Sequence, residues 1–174
     1  CIRDSLGMVT LFMFVDFNTI SPGANDNLTG TYAAVFALRM LDMAGVDFEN
    51  TEVCAMITDG EEAGLRGCKS WAKNHYDEYV NSGVETVVLC VDTLTDREYL
   101  RVYNKDMTGT VKNNQQFSQL VMDASKDAGH DDIELSSVFF GSSDAAAFSQ
   151  AGITATCLAA MDPRPADYYH NRRD

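Results

Sequence analysis

The feature that most constrains this 174-residue chain is the alternation of strand-like apolar runs with segments of helical periodicity. Residues 84–91 are almost wholly apolar, which is typical of a strand with both faces covered. Further strands are predicted at 8–15, 52–58, 99–103, 135–140 and 153–160. Helices are predicted at about 27–44, 63–79, 116–128 and 143–151. Strands that alternate with helices predict an α/β fold, a three-layer αβα arrangement around a mixed, mostly parallel central sheet. No linker interrupts the pattern, so residues 1–174 are expected to form a single domain.

Acidic residues follow two of the predicted strands. Asp59, Glu61 and Glu62 come after the run at 52–58, and Asp92 comes directly after the run at 84–91. In open α/β sheets, sites form at the carboxyl ends of strands, so these side chains are expected at one edge of the sheet. An unpaired buried carboxylate is costly, which favours a cation or another partner for Asp92. Taken singly, each residue also fits a helix start or a turn.

Composition excludes some classes of partner. The chain has 13 Lys and Arg against 26 Asp and Glu, a formal net charge of -13, which argues against nucleic acid. The apolar run at 8–15 is too short to cross a membrane as a helix. The chain lacks an initiating Met and is expected to be part of a longer protein.

The five cysteines show no CxxC spacing. Cys54, Cys90 and Cys157 lie in apolar runs and are expected to be buried thiols, with a reducing compartment as the default. The sequence does not indicate an oligomeric state.

Several motifs together resemble the M28 metallopeptidase family, over about residues 8–174. They are Ser-Pro-Gly-Ala-Asn-Asp-Asn at 21–27, Asp-Gly-Glu-Glu-Ala-Gly-Leu-Arg-Gly at 59–67, Val-Asp at 91–92, Gly-Ser-Ser-Asp at 141–144, Gln-Ala-Gly-Ile at 150–153, and Tyr-His at 169–170 with Asp174. The resemblance implies a zinc-exopeptidase-like fold. It also implies a zinc aminopeptidase that removes N-terminal residues from peptides.

The resemblance also implies roles for particular residues. Asp26 would bridge two zinc ions, Glu62 and His170 would be ligands of one ion, and Asp92 would be a ligand of the other. Glu61 would be the general base that activates the attacking water. Tyr169 and Asp144 would contact substrate. Zinc accepts carboxylate and imidazole ligands of these kinds.

One family ligand is missing from the expected place. The family has a His-x-Asp motif ahead of the bridging Asp, and this chain has no His before His75. Either Phe14 replaces that His, with Asp16 left from the motif, or the His lies upstream of Cys1 because some members carry a long insertion there. We favour the second. In both cases one zinc has three ligands here and the other only Asp26 and Asp92, so the first ion is expected to bind better.

Two alternatives to an aminopeptidase remain open. The first is a catalytically inactive binding module of the same fold, which the absent His favours. The second is a glutaminyl cyclase-like enzyme, which shares the fold but uses a single zinc ion. The other histidines, His75 and His130, are expected to lie on the surface or in packing, and Cys68 in helix packing.

Overall fold

The computed structural model describes residues 18–164 and 167–174. A π-helical turn, Ala24–Thr29, leads into helix α1, Gly30–Met43, and helix α2 spans Arg66–Tyr79. After these come strands β1 (Val87–Asp92), β2 (Leu100–Asp106) and β3 (Val111–Lys112), with a short 3-10 helix, Arg97–Tyr99, before β2. Helix α3 (Gln115–Asp127), strand β4 (Glu134–Ser137), helix α4 (Asp144–Gln150) and strand β5 (Thr154–Ala160) complete the described elements.

The five strands form one mixed sheet in the order β1-β5-β2-β3, with β4 also paired to β2. The longest ladder, β1 with β5, is parallel and pairs Val87 with Thr154 through to Asp92 with Ala159. Strand β4 is parallel to β2, whereas β5 and β3 are antiparallel to β2. The mixed sheet with flanking helices that the sequence predicts is therefore confirmed.

The two faces of the sheet carry different helices. Tyr103, Ala155 and Cys157 face a core that includes Phe148 of α4 and Cys68 of α2. On the opposite face Val102 packs with Val121 of α3 and with Ile133. Successive side chains of a strand alternate between faces, which explains how neighbouring Val102 and Tyr103 serve two cores. The sheet is thus the middle of three layers.

Two strand predictions have different outcomes. Residues 52–58 are not assigned to a strand, because they form no ladder with another strand in the described part of the chain. Consistent with this, Cys54 is exposed, so its predicted burial is wrong, whereas Cys157 is buried and Cys90 is half-buried. The predicted strand at 8–15, with Phe14 and Asp16, lies outside the described residues.

Large apolar side chains are also exposed on several of the described elements. On α1 these include Tyr32, Phe36, Met40 and Met43. Among the helices of the described residues, none has the length and apolar character needed to cross a membrane.

Candidate metal centre

Asn25 and Asn27 hold the loop that carries Asp26 against the end of β1. The Asn27 side-chain amide donates to the Val91 carbonyl at 3.0 Å, and its Oδ1 accepts from the Gly30 and Thr93 amides. The Asn25 Oδ1 accepts from the Thr95 amide at 3.1 Å. These bonds join the segment before α1 to the segment after β1, and they place Asp26 close to Asp92. The Asp26–Asn27 peptide bond is cis.

Glu61 and Glu62 lie in a tight turn ahead of α2. The Glu61 carbonyl accepts from the amides of Gly64 and Leu65, and Leu65 adopts a left-handed backbone conformation with φ 60°. Helix α2 therefore begins at Arg66, three residues later than predicted. The side chain of Glu61 is half-buried and that of Glu62 is exposed, so the adjacent carboxylates occupy different environments.

His170 brings a segment beyond β5 to the same place. Its backbone has a φ of 55°, an uncommon conformation for a non-glycine residue that is often found at functional sites. The Tyr169 ring stacks on the imidazole, with 3.8 Å between centroids and 18° between planes. The aromatic neighbour restricts the orientation of the imidazole.

Three predicted ligands meet at one point. The His170 Nε2 lies 2.9 Å from the Asp26 Oδ2 and 2.8 Å from the Glu62 Oε1. One ligand atom from each of the three residues lies within 4.8 Å of the other two. This is the one such cluster of three or more metal-ligating side chains among residues 18–164 and 167–174.

Asp92 is near this cluster but not part of it. Its side chain is buried, and its Oδ1 accepts no hydrogen bond within the described structure. Burial, together with the nearby charges of Asp26 and Asp144, raises the pKa of Asp92 to about 7. An unpartnered carboxylate oxygen in the interior is a site for a cation, because burying it alone is unfavourable.

The pKa shifts of the other site groups reflect crowded negative charge. Burial first, and then the negative charges of Glu62, Asp92, Asp144 and Asp26, raise the pKa of Glu61 to about 8. Hydrogen bonds to Asp26 and Glu62 raise the pKa of His170 to about 10. Without an ion, the proton on His170 supplies positive charge between two carboxylates. A cation placed among these groups would favour the ionised carboxylates and the neutral form of the imidazole.

Asp144 and Tyr169, the two predicted substrate contacts, both border the site. The Thr58 hydroxyl donates to the Asp144 Oδ2 at 2.9 Å, while the Asp144 Oδ1 is buried and has no hydrogen-bond partner in the described structure. Asp144 also acts electrostatically on Asp92 and Glu61. Asp144 thus lies on the carboxylate-rich side of the cluster, and Tyr169 lies beside His170.

Asp174 is a positioning residue whose role the sequence analysis did not assign. Its Oδ1 accepts from the backbone amides of Asn25, at 2.9 Å, and Asp26, at 3.3 Å, and its Oδ2 accepts from the Ser21 hydroxyl. These bonds hold the Asp26 loop beside the segment that carries His170. The sequence places Asp174 four residues after His170. No spacing rule, however, connects Asp174 with the Asp26 loop, which lies about 150 residues earlier in the chain.

The donor set fits zinc. Asp26, Glu62 and His170 provide two carboxylates and one imidazole, a combination that zinc binds in catalytic sites with room for a further ligand. The unpartnered Oδ1 of Asp92 provides a further carboxylate oxygen outside this three-residue cluster. His75 and His130 are not members of the cluster. The His75 ring stacks on Trp71, with 4.9 Å between centroids.

The described part of the chain combines a mixed sheet between helical layers with a carboxylate–histidine cluster near the end of β1, an arrangement typical of metal-dependent α/β enzymes. Within that class, the family model described as "Peptidase family M28" matches residues 4–174. The chain belongs to peptidase family M28. No curated protein sequence matches it significantly.

Similar solved structures are consistent with this family. LapA of Legionella pneumophila superimposes with a TM-score of 0.68 at 18% identity, covering 88% of this chain and 42% of that protein. BSAP, a zinc aminopeptidase from Bacillus subtilis, superimposes with a TM-score of 0.63 at 26% identity, covering 87% of this chain and 36% of that protein. The LapA comparison supports the fold alone. The chain spans less than half the length of these proteins.

Proposed function

We propose that this chain forms the metal-binding part of a zinc-dependent aminopeptidase, which hydrolyses N-terminal residues from peptides. Membership of peptidase family M28 and similarity to the zinc aminopeptidase BSAP support this proposal. The observation that carries it is the meeting of Asp26, Glu62 and His170 at a single point. Residues 1–174 are proposed to be one domain, and the partner is a peptide.

Asp26, Glu62 and His170 would hold the better-bound zinc ion. Asp92 would contribute to a second ion with Asp26, which would bind more weakly because it lacks a histidine ligand. When bound, zinc supplies Lewis acidity, polarising the peptide carbonyl and lowering the pKa of water toward neutrality. A zinc titration that resolves the affinity of each site would test whether the first ion binds more tightly than the second. Two equally tight sites would contradict the proposal.

Glu61 is proposed as the general base. It is adjacent to Glu62 but half-buried and outside the three-residue cluster. In its ionised form its carboxylate can accept a proton from the attacking water and later return it to the leaving amine. Asp144, on the same side of the site, would bind the free amine of the substrate, because a carboxylate stabilises an ammonium group.

The test compares Glu61→Gln with the wild-type protein and with Glu98→Gln, a variant of a glutamate away from the cluster. We expect Glu61→Gln to keep zinc but lose about 10²–10⁴-fold in kcat, the usual contribution of general base catalysis. Glu98→Gln should retain both the bound zinc and the kcat of the wild-type protein. Zinc content by elemental analysis and hydrolysis of an aminoacyl chromogenic substrate are the measurements. Full activity in Glu61→Gln would contradict the assigned role.

The same assays separate the two alternatives. Zinc binding without hydrolysis of any aminoacyl substrate would favour a binding module. Conversion of an N-terminal glutamine to its cyclic form, with release of ammonia, would favour a glutaminyl cyclase. The binding-module outcome is not expected, since the chain retains Glu61 beside the three-ligand cluster.

A further inference from the structure

The segment that carries His170 has little regular structure to hold it in place. Among its described residues, 161–164 and 167–174, none is assigned to a helix or strand, and His170 itself is exposed. A segment with few buried contacts and few backbone hydrogen bonds is mobile unless its side chains hold it. The position of the imidazole relative to Asp26 and Glu62 therefore depends on the contacts of its neighbours.

Tyr168 and Asp174 tether this segment on either side of His170. The Asp174 carboxylate accepts from two backbone amides of the loop before α1. Tyr168 is half-buried and lies two residues before His170. Its hydroxyl donates to the Asp96 Oδ2 and accepts from the Asn25 side-chain amide at 3.4 Å. One tether thus precedes the imidazole and the other follows it.

The Tyr168 hydroxyl closes a ring of contacts, which we call the Tyr168 network and which consists of Asn25, Thr95, Asp96 and Tyr168. Asp96 follows Thr95, whose backbone amide donates to the Asn25 Oδ1 at 3.1 Å. The network therefore joins the loop before α1, the segment after β1 and the segment after β5. Each of these segments carries or adjoins one of the predicted metal ligands: Asp26, Asp92 and His170.

The hydrogen-bonding capacity of the Tyr168 hydroxyl is used within the protein. Its proton is donated to Asp96, and its oxygen accepts from Asn25. A phenolic hydroxyl has one proton to donate, so no donor remains for a substrate oxygen. This arrangement favours a role in holding the protein's own segments over a contact with substrate.

We propose that Tyr168 is a positioning residue of the metal centre. Its hydroxyl holds the His170 segment against the loop that carries Asp26 and against the end of β1. This inference rests on the metal cluster of the proposed function, and it adds a residue that keeps the ligands of the cluster together. Its loss should weaken metal binding, because residues that orient metal ligands contribute to affinity without touching the ion.

The first test measures zinc affinity in Tyr168→Phe, which removes the hydroxyl and keeps the ring. We expect the dissociation constant of the more tightly bound zinc ion to rise roughly 10-fold, the lower end of the range for such residues, because Asp174 still holds the segment. The metal-free variant should remain folded by circular dichroism, since water can reach the half-buried Asp96 and Asn25. Tyr32→Phe, at an exposed tyrosine of α1, is the matched control and should bind zinc as the wild type does. Equal zinc affinity in Tyr168→Phe and the wild type would overturn the inference.

The second test asks whether Tyr168 acts through Asp96. Asp96→Asn keeps an oxygen that can accept the Tyr168 proton and should retain most of the zinc affinity, whereas Asp96→Ala should lose about as much as Tyr168→Phe. The double variant Tyr168→Phe/Asp96→Ala should lose little more than either single variant, because residues of one hydrogen-bond network are not additive. Fully additive losses would show that the two residues act separately and would contradict the network.

Hydrolysis of an aminoacyl chromogenic substrate, at zinc concentrations that fill the site, separates this inference from the proposed function. Tyr168→Phe should then recover most of the wild-type kcat with KM unchanged, because the ligands are brought together once the ion is bound. A raised KM with unchanged zinc affinity would identify Tyr168 as a substrate contact and refute the positioning role. Weaker zinc binding in Tyr168→Phe, with no hydrolysis even by the wild-type protein, would support the inference and count against the aminopeptidase.

Discussion

At the residue scale, the candidate site brings together carboxylates and an imidazole whose bound protons would compete with a metal ion. His170 is hydrogen-bonded by two carboxylates that raise its pKa to about 10, and burial raises the pKa of Glu61 to about 8. A ligand must lose its proton before it coordinates zinc, so metal binding releases protons. In the metal-free site His170 therefore carries a proton that zinc would have to displace.

This competition predicts the pH dependence of zinc affinity. The pKa of His170 is above neutrality, so the ligand is protonated at pH 6 and at pH 8, and zinc must remove at least that proton. Affinity should then rise with pH, by about tenfold per unit for each proton released. The zinc affinity can be measured by competition with a metal-buffering chelator at pH 6, 7 and 8. His170→Ala is the control and should bind zinc more weakly with a shallower slope; a flat wild-type profile would contradict the account.

The three residues of the cluster were predictable because each lies in a short motif, whereas their supporting contacts were not. Asp26, Glu62 and His170 are found by the Gly-Ala-Asn-Asp-Asn, Gly-Glu-Glu and Tyr-Tyr-His stretches of the sequence. Asp174 could not be assigned in the same way, because its partners are backbone amides of a distant loop. A backbone amide is present at nearly every residue, so the sequence carries no sign of which ones are used.

At the element scale, α1 approaches β1 so closely that only glycine fits between them. A Cβ added to Gly30 would lie 2.1 Å from the Val91 carbonyl oxygen and 2.4 Å from the Asn27 Oδ1. The contact oxygens belong to the backbone of β1 and to the side chain that links the Asp26 loop to it. The start of α1 is therefore fixed by the same atoms that support the site.

Gly30→Ala is predicted to destabilise the protein by about 1–3 kcal/mol, the usual range for overpacking in the interior. It should also weaken zinc binding, because the Asn27 amide must move from the Val91 carbonyl. Val35→Ala, at an exposed position of the same helix, is the control and should leave zinc affinity unchanged. Denaturant unfolding and zinc titration are the measurements. Wild-type stability in Gly30→Ala would contradict the described packing.

Asp106 anchors the start of α4. Its buried carboxylate accepts from the Met107 amide at 2.7 Å, the Ser143 amide at 3.0 Å and the Ser143 hydroxyl at 2.5 Å. Asp144, the next residue, acts electrostatically on Asp92 and Glu61. The end of β2 therefore holds the start of α4, the helix that carries Asp144.

Asp106→Ala is predicted to lower the free energy of unfolding by about 2–4 kcal/mol, because it leaves several buried donors without a partner. Asp132→Ala, at an exposed position, should change it by less than about 0.5 kcal/mol. Chemical denaturation of both variants provides the comparison. Similar unfolding midpoints for the two would show that the buried carboxylate does not anchor α4.

Most elements follow from local patterns, and the exceptions have physical causes. Helix α3 and strand β5 begin and end within one residue of their predicted limits, since their apolar periodicity is strong. The two-residue strand β3 was not predicted, because two residues show no periodicity. Residues 52–58 have the composition of a strand, but strand formation also needs a neighbouring ladder that composition does not specify.

At the scale of the whole molecule, the cluster joins segments that are far apart in the sequence. Asp26 and His170 are separated by 144 positions, and Glu62 lies between them on a different turn. The unfolded chain offers no preformed arrangement of these groups, so zinc binds the folded state preferentially. Metal binding should therefore stabilise the fold.

Zinc is predicted to raise the thermal midpoint, and a chelator should reverse the increase. With free zinc at 100 times the dissociation constant, the stabilisation would be about 2.7 kcal/mol. Differential scanning calorimetry with and without zinc measures the shift. His170→Ala should lose most of it, while Arg172→Ala, two residues later, should respond to zinc as wild type. An equal response of both variants would place the ion elsewhere.

The stacking of Tyr169 on His170 also has a consequence for how a peptidase of this kind could be switched off. The imidazole is held by one ring and two carboxylates, on a segment that follows β5 and is assigned no strand or helix at its described residues, 161–164 and 167–174. After a single cleavage shortly after β5, the segment that carries His170 would be held only by contacts such as those of Asp174 with the Asp26 loop, while the sheet and its helices remained intact. The clipped protein would be folded but would bind zinc less tightly, a form of inactivation that metal analysis would reveal and circular dichroism would miss.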